Sequence, residues 1–285
     1  MMAEPLVYER PLTLEHALEL VSQPQSAVVC GGTDFYPERL YRSRHESVVD
    51  VSRVDELQGI KFDGDEWRIG AAATWREIRA AALPPGFDGL RAAAREVGAA
   101  HIQNAGTVVG NICTATAAGD GIPPLLTLDA LVELRSIRGA RVVSLSQFLT
   151  GYRSTDRRED ELVTAIVIRE PSVSSRGSFV KFGQRASLVI SVVMVAALLE
   201  LDAGRISSAR IAVGACSPVS ARLRVMEEAL VGVELDSSAL REVVRVTDIG
   251  ELDPIDDVRA TGVYRRTIVR ELIVEALVAC GGGHG

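Results

Sequence analysis

The chain has 285 residues, more than one typical domain, so two or three compact units are expected. Hydrophobic residues make up 47% and aromatic ones only 5%, enough for a core built mostly from Ala, Val, Leu and Ile. A formal net charge of −7 argues against a general nucleic-acid binder, which needs surplus positive charge against phosphates, yet it leaves room for a local basic spot that holds one small anion. No run of about 18 apolar residues occurs, so no membrane span is expected. Met1-Met2-Ala3-Glu4-Pro5 lacks the basic and apolar regions of a leader peptide. Cys30, Cys113, Cys216 and Cys280 are far apart and form no C-x-x-C pair, which suits a reduced, cytoplasmic chain without an iron–sulfur cluster of its own. His16, His45, His101 and His284 share no metal-ligand spacing, so no metal site is expected.

In chain order, Thr13 reads as an N-cap, followed by Leu14, Ala17, Leu18 and Val21 on one helical face. Residues 27–30 read as a short apolar strand, 47–52 as a second and 67–72 as a third. Thr74 and Glu77 form a T-x-x-E capping box that opens a helix through about residue 82. Pro84-Pro85-Gly86 breaks the chain before another helical face at Leu90, Ala93, Ala94 and Val97. Residues 101–124 show few periodic signals and read as a long loop, a feature often tied to function. Residues 131–135 and 141–145 read as a strand pair around Arg138-Gly139, and 162–168 as a further strand.

A boundary is expected at 171–177, rich in Pro, Ser and Gly. Beyond it, 178–183, 191–201 and 205–215 read as antiparallel strands, the last two joined at Asp202-Ala203-Gly204. Helices follow at about 218–231, 238–247 and 258–279, and strands followed by helices suggest an α+β unit. On the last helix, Arg265 and Arg266 are candidates to pair with acids of the same helix, as Arg266 and Arg270 could with Glu271.

Two glycine turns carry the candidate chemistry. Gly31-Gly32-Thr33-Asp34 follows directly on an apolar strand; glycine permits positive φ and close approach of a ligand, successive N–H groups make an anion nest, and Thr33 adds a hydroxyl. An ordinary strand-end turn fits that segment equally well. The second, around Gly106-Thr107-Val108-Val109-Gly110-Asn111, interleaves glycine with the donors Asn104, Thr107, Asn111, Thr114 and Thr116. Asp120, just beyond, is placed to accept sugar or ribityl hydroxyls. Here the alternative is a structural loop that satisfies its own backbone. Neither segment is a G-x-G-x-x-G or Walker A loop.

Taken together, these residues resemble the FAD-binding medium subunits of molybdopterin hydroxylases, the family that includes xanthine and carbon monoxide dehydrogenases. The family's A-G-G-T-D motif stands here as Cys30-Gly31-Gly32-Thr33-Asp34, and its R-N-x-G/A-T-x-G-G-N motif as residues 103–111. Val180-Lys181-Phe182-Gly183-Gln184-Arg185-Ala186-Ser187-Leu188-Val189-Ile190-Ser191 is similar to a third segment, and Tyr264-Arg265-Arg266 to a fourth.

The resemblance implies an α+β fold. A two-subdomain FAD-binding unit of the vanillyl-alcohol-oxidase kind would span residues 1–173, divided near 57, followed by a small α/β C-terminal domain over 174–280 and a disordered tail over 281–285. It implies non-covalent FAD. Val28, Val29, Cys30, Gly31, Gly32, Thr33, Asp34 and Phe35 would line one side of the cofactor's diphosphate and its neighbours; Asn104, Thr107, Val108, Val109, Gly110, Asn111 and Thr114 would line the other. Asp120 would take ribityl or ribose hydroxyls, Lys181 would approach the flavin from the second domain, and Val163 would lie near the adenine or the ring edge. Val97 and Ile190 would flank the isoalloxazine.

In function, the resemblance implies an electron-transfer subunit that needs no catalytic acid or base of its own. A molybdenum-cofactor large subunit and a [2Fe-2S] small subunit would be its partners, and NAD⁺, a quinone or oxygen its acceptor. A self-contained FAD oxidase and a nucleotide-binding assembly protein are the alternatives. Three residues depart from the motifs. Val109 replaces a glycine, which would cost about 1–2 kcal/mol if that position required positive φ. Gln103 and Gln184 each replace an arginine, removing a charge that could have faced phosphate or flavin.

Overall fold

The computed structural model of the chain describes residues 7–39, 47–185 and 189–282. The Met1-to-Pro5 start, Ala186-Ser187-Leu188 of the third motif, and 283–285 of the expected tail lie outside the described residues. Thr13 accepts the His16 N–H and opens the helix Leu14–Val21, whose Leu14, Ala17, Leu18 and Val21 are buried as their spacing requires. That helix packs on a parallel three-stranded sheet in which Ser47–Asp50 lies between Tyr8–Glu9 and Ser26–Val29.

A second sheet is antiparallel, in the order Ile60–Phe62, Glu66–Gly70, Leu162–Arg169, Leu131–Ser136, Gly139–Ser144. Its central strand, Leu162–Arg169, is the last of the five in sequence, so the chain between 70 and 131 must leave the sheet and return. That excursion carries the helices Trp75–Ala80, Asp88–Glu96, Ala100–Ala105, Val108–Thr114 and Ile122–Thr127. Residues 101–124, expected as a loop, are therefore largely helical. The helices are only six or seven residues long and rich in β-branched and glycine positions, so intrinsic propensity hides them. Burial of Val108, Val109, Ile112, Ile122 and Leu125 supplies the stability that propensity does not.

A third sheet runs Arg176–Phe182, Val193–Asp202, Arg205–Gly214, Ala221–Arg222, all antiparallel. Ala203 and Gly204 take φ of 46° and 81°, a two-residue turn with both central residues left-handed. Val193, Val195, Ala197 and Leu199 belong to the core under the helices Arg224–Leu230, Ser237–Val246 and Gly262–Gly281. Met194, Ala196 and Leu198 point the other way and are buried just as fully, in contact with Asp88–Glu96 and Ile122–Thr127. Each half thus covers one face of the same sheet. The helix expected from 218 begins at Arg224, because Ala221 and Arg222 first pair with Val213 and Ala212 as an edge strand.

The terminal helix is held by a buried guanidinium. Arg265, 1% exposed, donates to the carbonyls of Val192 and Ala215 and to Asp257 at 2.7 Å. Arg266 donates to Leu252 O at 2.6 Å and Arg270 to Thr247 O at 3.0 Å, while Glu271 pairs with Arg241 of a neighbouring helix. The expected pairing along one helix is therefore replaced by bonds to other elements, since the helix packs these side chains against the strand ends and the 244–257 segment. Burial works against the Asp257 carboxylate, but the N–H groups of Arg259 and Ala260 and two guanidinium groups outweigh it and hold the carboxyl at about 2, from an ordinary 3.8. Stability from this group is present above 3.8 and is lost as pH falls toward 2. Asp257→Asn is expected to lower folding stability at neutral pH by about 2 kcal/mol, because it removes the carboxylate that balances the buried Arg265 charge. It should also flatten the acid limb of the urea midpoint between these pH values. An unchanged midpoint at neutral pH would show that Arg265 does not depend on this partner.

Candidate functional site

Thr74 caps the helix Trp75–Ala80: its hydroxyl accepts the Glu77 N–H and Glu77 accepts the Thr74 N–H, at 3.3 and 2.7 Å. This fixes Trp75, 2% exposed, at the first helical position. The Trp75 N–H donates to Gly106 O and the Val108 N–H to Ala73 O, each at 3.2 Å, so 73–75 and 106–108 run antiparallel through a bridge at Thr74 and Thr107. Thr107 then accepts the Gly110 N–H at 3.0 Å and caps Val108–Thr114. The indole closes over Gly121, where a Cβ would lie 2.4 Å from the ring.

Against this frame comes the first glycine turn. A Cβ on Gly31 would stand 2.0 Å from Ala105 O, so only glycine lets the two segments meet backbone to backbone. Gly32 takes φ of 67°, the left-handed region. Gly31 is thus required by the chain's own packing, and Gly32 by its conformation.

Between the two turns lies a cavity of about 730 Å³, within the size range of small-molecule sites. Val28, Val29, Cys30, Gly31, Gly32, Thr33, Asp34 and Phe35 all line it. So do Val97, Thr107, Val109, Gly110, Asn111, Thr114, Asp120 and Val163. Four expected residues do not. Asn104 is exposed on the outer side of its short helix, Val108 is fully buried in the core, and Ile190 is 63% exposed. Lys181 lies one contact behind the wall, with its Nζ 2.8 Å from Asp120 Oδ2. Ser191 donates to the other carboxylate oxygen at 3.0 Å, so the C-terminal sheet reaches the cavity through Asp120. Burial pushes the Asp120 carboxyl above the usual carboxylate range, against the pull of Lys181 and Ser191.

The motif departures change meaning in the structure. Val109 sits inside the helix Val108–Thr114, 4% exposed and without positive φ, so it carries no left-handed strain. Gln103 is buried outside the cavity wall, accepting from Arg79 at 2.5 Å and donating to Arg95 O at 3.1 Å, where it braces the 95–105 segment. Gln184 is exposed and donates to Arg259 O. Neither glutamine lines the cavity. Asn111, expected as a donor, uses its carbonyl oxygen to accept the Gly121 N–H at 3.2 Å.

Sequence reasoning missed Trp75, Ile102, Cys113, Arg153, Arg157 and Glu161 on the cavity wall. Trp75 had a signal in the capping box beside it. Arg153 and Arg157 had none, since they arrive on and after a hairpin, Leu149–Gly151 with Ser154–Thr155, from another part of the chain. Arg153, at φ 54°, donates its N–H to Ala115 O and its guanidinium to Asp34 and Glu38, at 2.8, 3.1 and 2.9 Å. Burial, with the negative charge of Asp50, pushes the Cys30 thiol up to about 12, so it stays protonated beside the cavity. Among the described residues no group of three or more His, Cys, Asp or Glu is placed to hold a metal ion.

Comparison with known proteins bears on this geometry. A family described as "FAD binding domain in molybdopterin dehydrogenase" matches residues 2–171, and one described as "CO dehydrogenase flavoprotein C-terminal domain" matches residues 178–279. A putative xanthine dehydrogenase FAD-binding subunit of Escherichia coli is 30% identical, over 96% of this chain and 97% of its own length. The nicotinate dehydrogenase FAD-subunit of Eubacterium barkeri is 31% identical, over 96% of each. In solved structures, a chain of carbon monoxide dehydrogenase from Hydrogenophaga pseudoflava superposes with a TM-score of 0.89 at 22% identity, covering 99% of both chains. Quinoline 2-oxidoreductase from Pseudomonas putida gives 0.89 at 24% identity, covering 98% of both. The fold is therefore shared, and with it the antiparallel C-terminal sheet and its helices. The chain belongs to the family of FAD-binding flavoproteins of the molybdopterin dehydrogenases.

Proposed function

We propose that this chain is the electron-transfer flavin subunit of a molybdenum hydroxylase assembly. In this reading it takes electrons from an iron–sulfur partner, fed in turn by a molybdenum-cofactor subunit, and passes them to NAD⁺, a quinone or oxygen. The observation that carries it is the cavity in which both glycine turns and Asp120 share one wall system. FAD, when bound, supplies the redox chemistry, and the chain's task is to hold and tune it. The Gly32 N–H and the side chains of Thr33, Thr107 and Asn111 offer donors suited to the diphosphate. Asp120 offers carboxylate lone pairs left over from Lys181 and Ser191 to ribityl or ribose hydroxyls, and Val97 and Val163 offer apolar contact. Lys181 keeps a positive charge close behind the wall, where it favours a more anionic reduced cofactor. The protonated Cys30 thiol is a poor nucleophile, which supports non-covalent attachment.

The same reading divides the chain near 171–177 into an FAD-binding unit and a C-terminal domain. It assigns the protein to the cytoplasm, in keeping with four free cysteines and with no helix among the described residues long and apolar enough to cross a membrane.

An absorption spectrum of the purified chain, with and without added FAD, tests the proposal. Flavin bands that denaturation releases into a filtrate are expected; a colourless protein that cannot be loaded would sink it. Gly32→Val is expected to weaken FAD retention about tenfold, through a left-handed backbone cost of about 1–2 kcal/mol. Gly31→Ala, which drives a Cβ into Ala105 O, and Asp120→Asn should weaken it as well. Retention equal to wild type in all three would mean that the site lies elsewhere.

A further inference from the structure

Six charged residues line the cavity: Asp34, Glu38, Asp120, Arg153, Arg157 and Glu161. Five are engaged with an opposite charge. Arg153 bridges Asp34 and Glu38, Asp120 pairs with Lys181, and Glu161 pairs with Arg141 at 2.7 Å. Arg157 is different. Its Nη1 donates to three backbone carbonyls, those of Arg158, Glu159 and Glu161, at 3.0, 3.2 and 2.8 Å. Among the described residues no carboxylate lies within ion-pair distance of it, and no acceptor takes its Nε or Nη2. The three carbonyls fix the plane of the guanidinium and leave its other edge available. Its charge is felt at the Cys113 thiol, on the helix that follows the second glycine turn.

We propose that Arg157 is the cationic anchor of the cofactor's diphosphate. The inference rests on the reading of the cavity as an FAD site. A dianionic diphosphate among neutral N–H donors needs a counter-charge, and a planar guanidinium with two free donors matches two phosphate oxygens. Because backbone carbonyls already hold Nη1, little side-chain freedom is lost on binding. Arg153 serves beside it as a tether, holding its hairpin to the first turn through Asp34 and Glu38.

The test measures binding of FAD and of riboflavin, which has no phosphate, to the full-length protein, by quenching of flavin fluorescence. Arg157→Gln is expected to weaken FAD binding by about tenfold to a hundredfold, the range of a charge-assisted hydrogen bond, and to leave riboflavin binding unchanged. Arg157→Lys should recover part of the loss, and added salt should weaken FAD binding to wild type more than to Arg157→Gln. Equal loss of FAD and riboflavin would show a merely structural role and overturn the proposal. So would weaker binding of NAD⁺ to the FAD-loaded variant with FAD binding intact, since the diphosphate held would then be the acceptor's. If wild type takes up no FAD, the FAD reading itself falls; if wild type and Arg157→Gln take it up equally, only the anchoring role falls.

Discussion

The close approach of Gly31 to the carbonyl oxygen of Ala105 is the contact on which the cavity depends. One segment leaves a parallel strand and the other leaves a helix, and neither wall exists until they touch. A side chain at 31 would overlap a backbone atom, which cannot rotate away as a side chain can. Trp75 holds the second segment for that contact. Its own position is set by the capping box that opens at the residue before it, so a local, sequence-encoded device fixes a buried side chain that in turn spaces two distant backbones.

The C-terminal sheet extends the same logic. Its strand Val193–Asp202 is buried on both faces, by helices of its own half on one side and by Asp88–Glu96 and Ile122–Thr127 on the other. The two halves therefore share apolar core, and relative sliding would expose it. Polar contacts cross the same boundary. Lys181 and Ser191 reach Asp120, and Arg222 donates to Leu126 O and Asp129 at 3.0 and 2.8 Å. The wall at Asp120 is thus set by both halves.

Charge in this acidic chain is local rather than general. Buried Arg265 has a carboxylate and two backbone carbonyls, and the Lys181 ammonium has the Asp120 carboxylate, so neither buried ion is unpaired. Arg157, solvent-facing and held by carbonyls, is the exception on the cavity wall. A net charge of −7 gives no hint of it.

Much of this was legible in the sequence. The stripe Leu14, Ala17, Leu18, Val21, the Thr74–Glu77 box, the hairpin at Ala203-Gly204 and the first glycine turn are local features, decided by period, capping and backbone freedom within a few residues. The glycine motifs also carried the family and with it the cofactor. Other features were not local. The segment 101–124 is helical because its apolar residues find a core, not because its residues favour helix, and Val109 is harmless for that reason. Gln103 stands where the family motif has an arginine that could face phosphate or flavin, yet it points into a brace of its own half. Arg153 and Arg157 reach the wall only because a distant hairpin folds against Ala115. Sequence fixes what each segment prefers alone. Which side chains share a cavity depends on contacts between segments far apart in the chain, and those exist only once the backbones have packed.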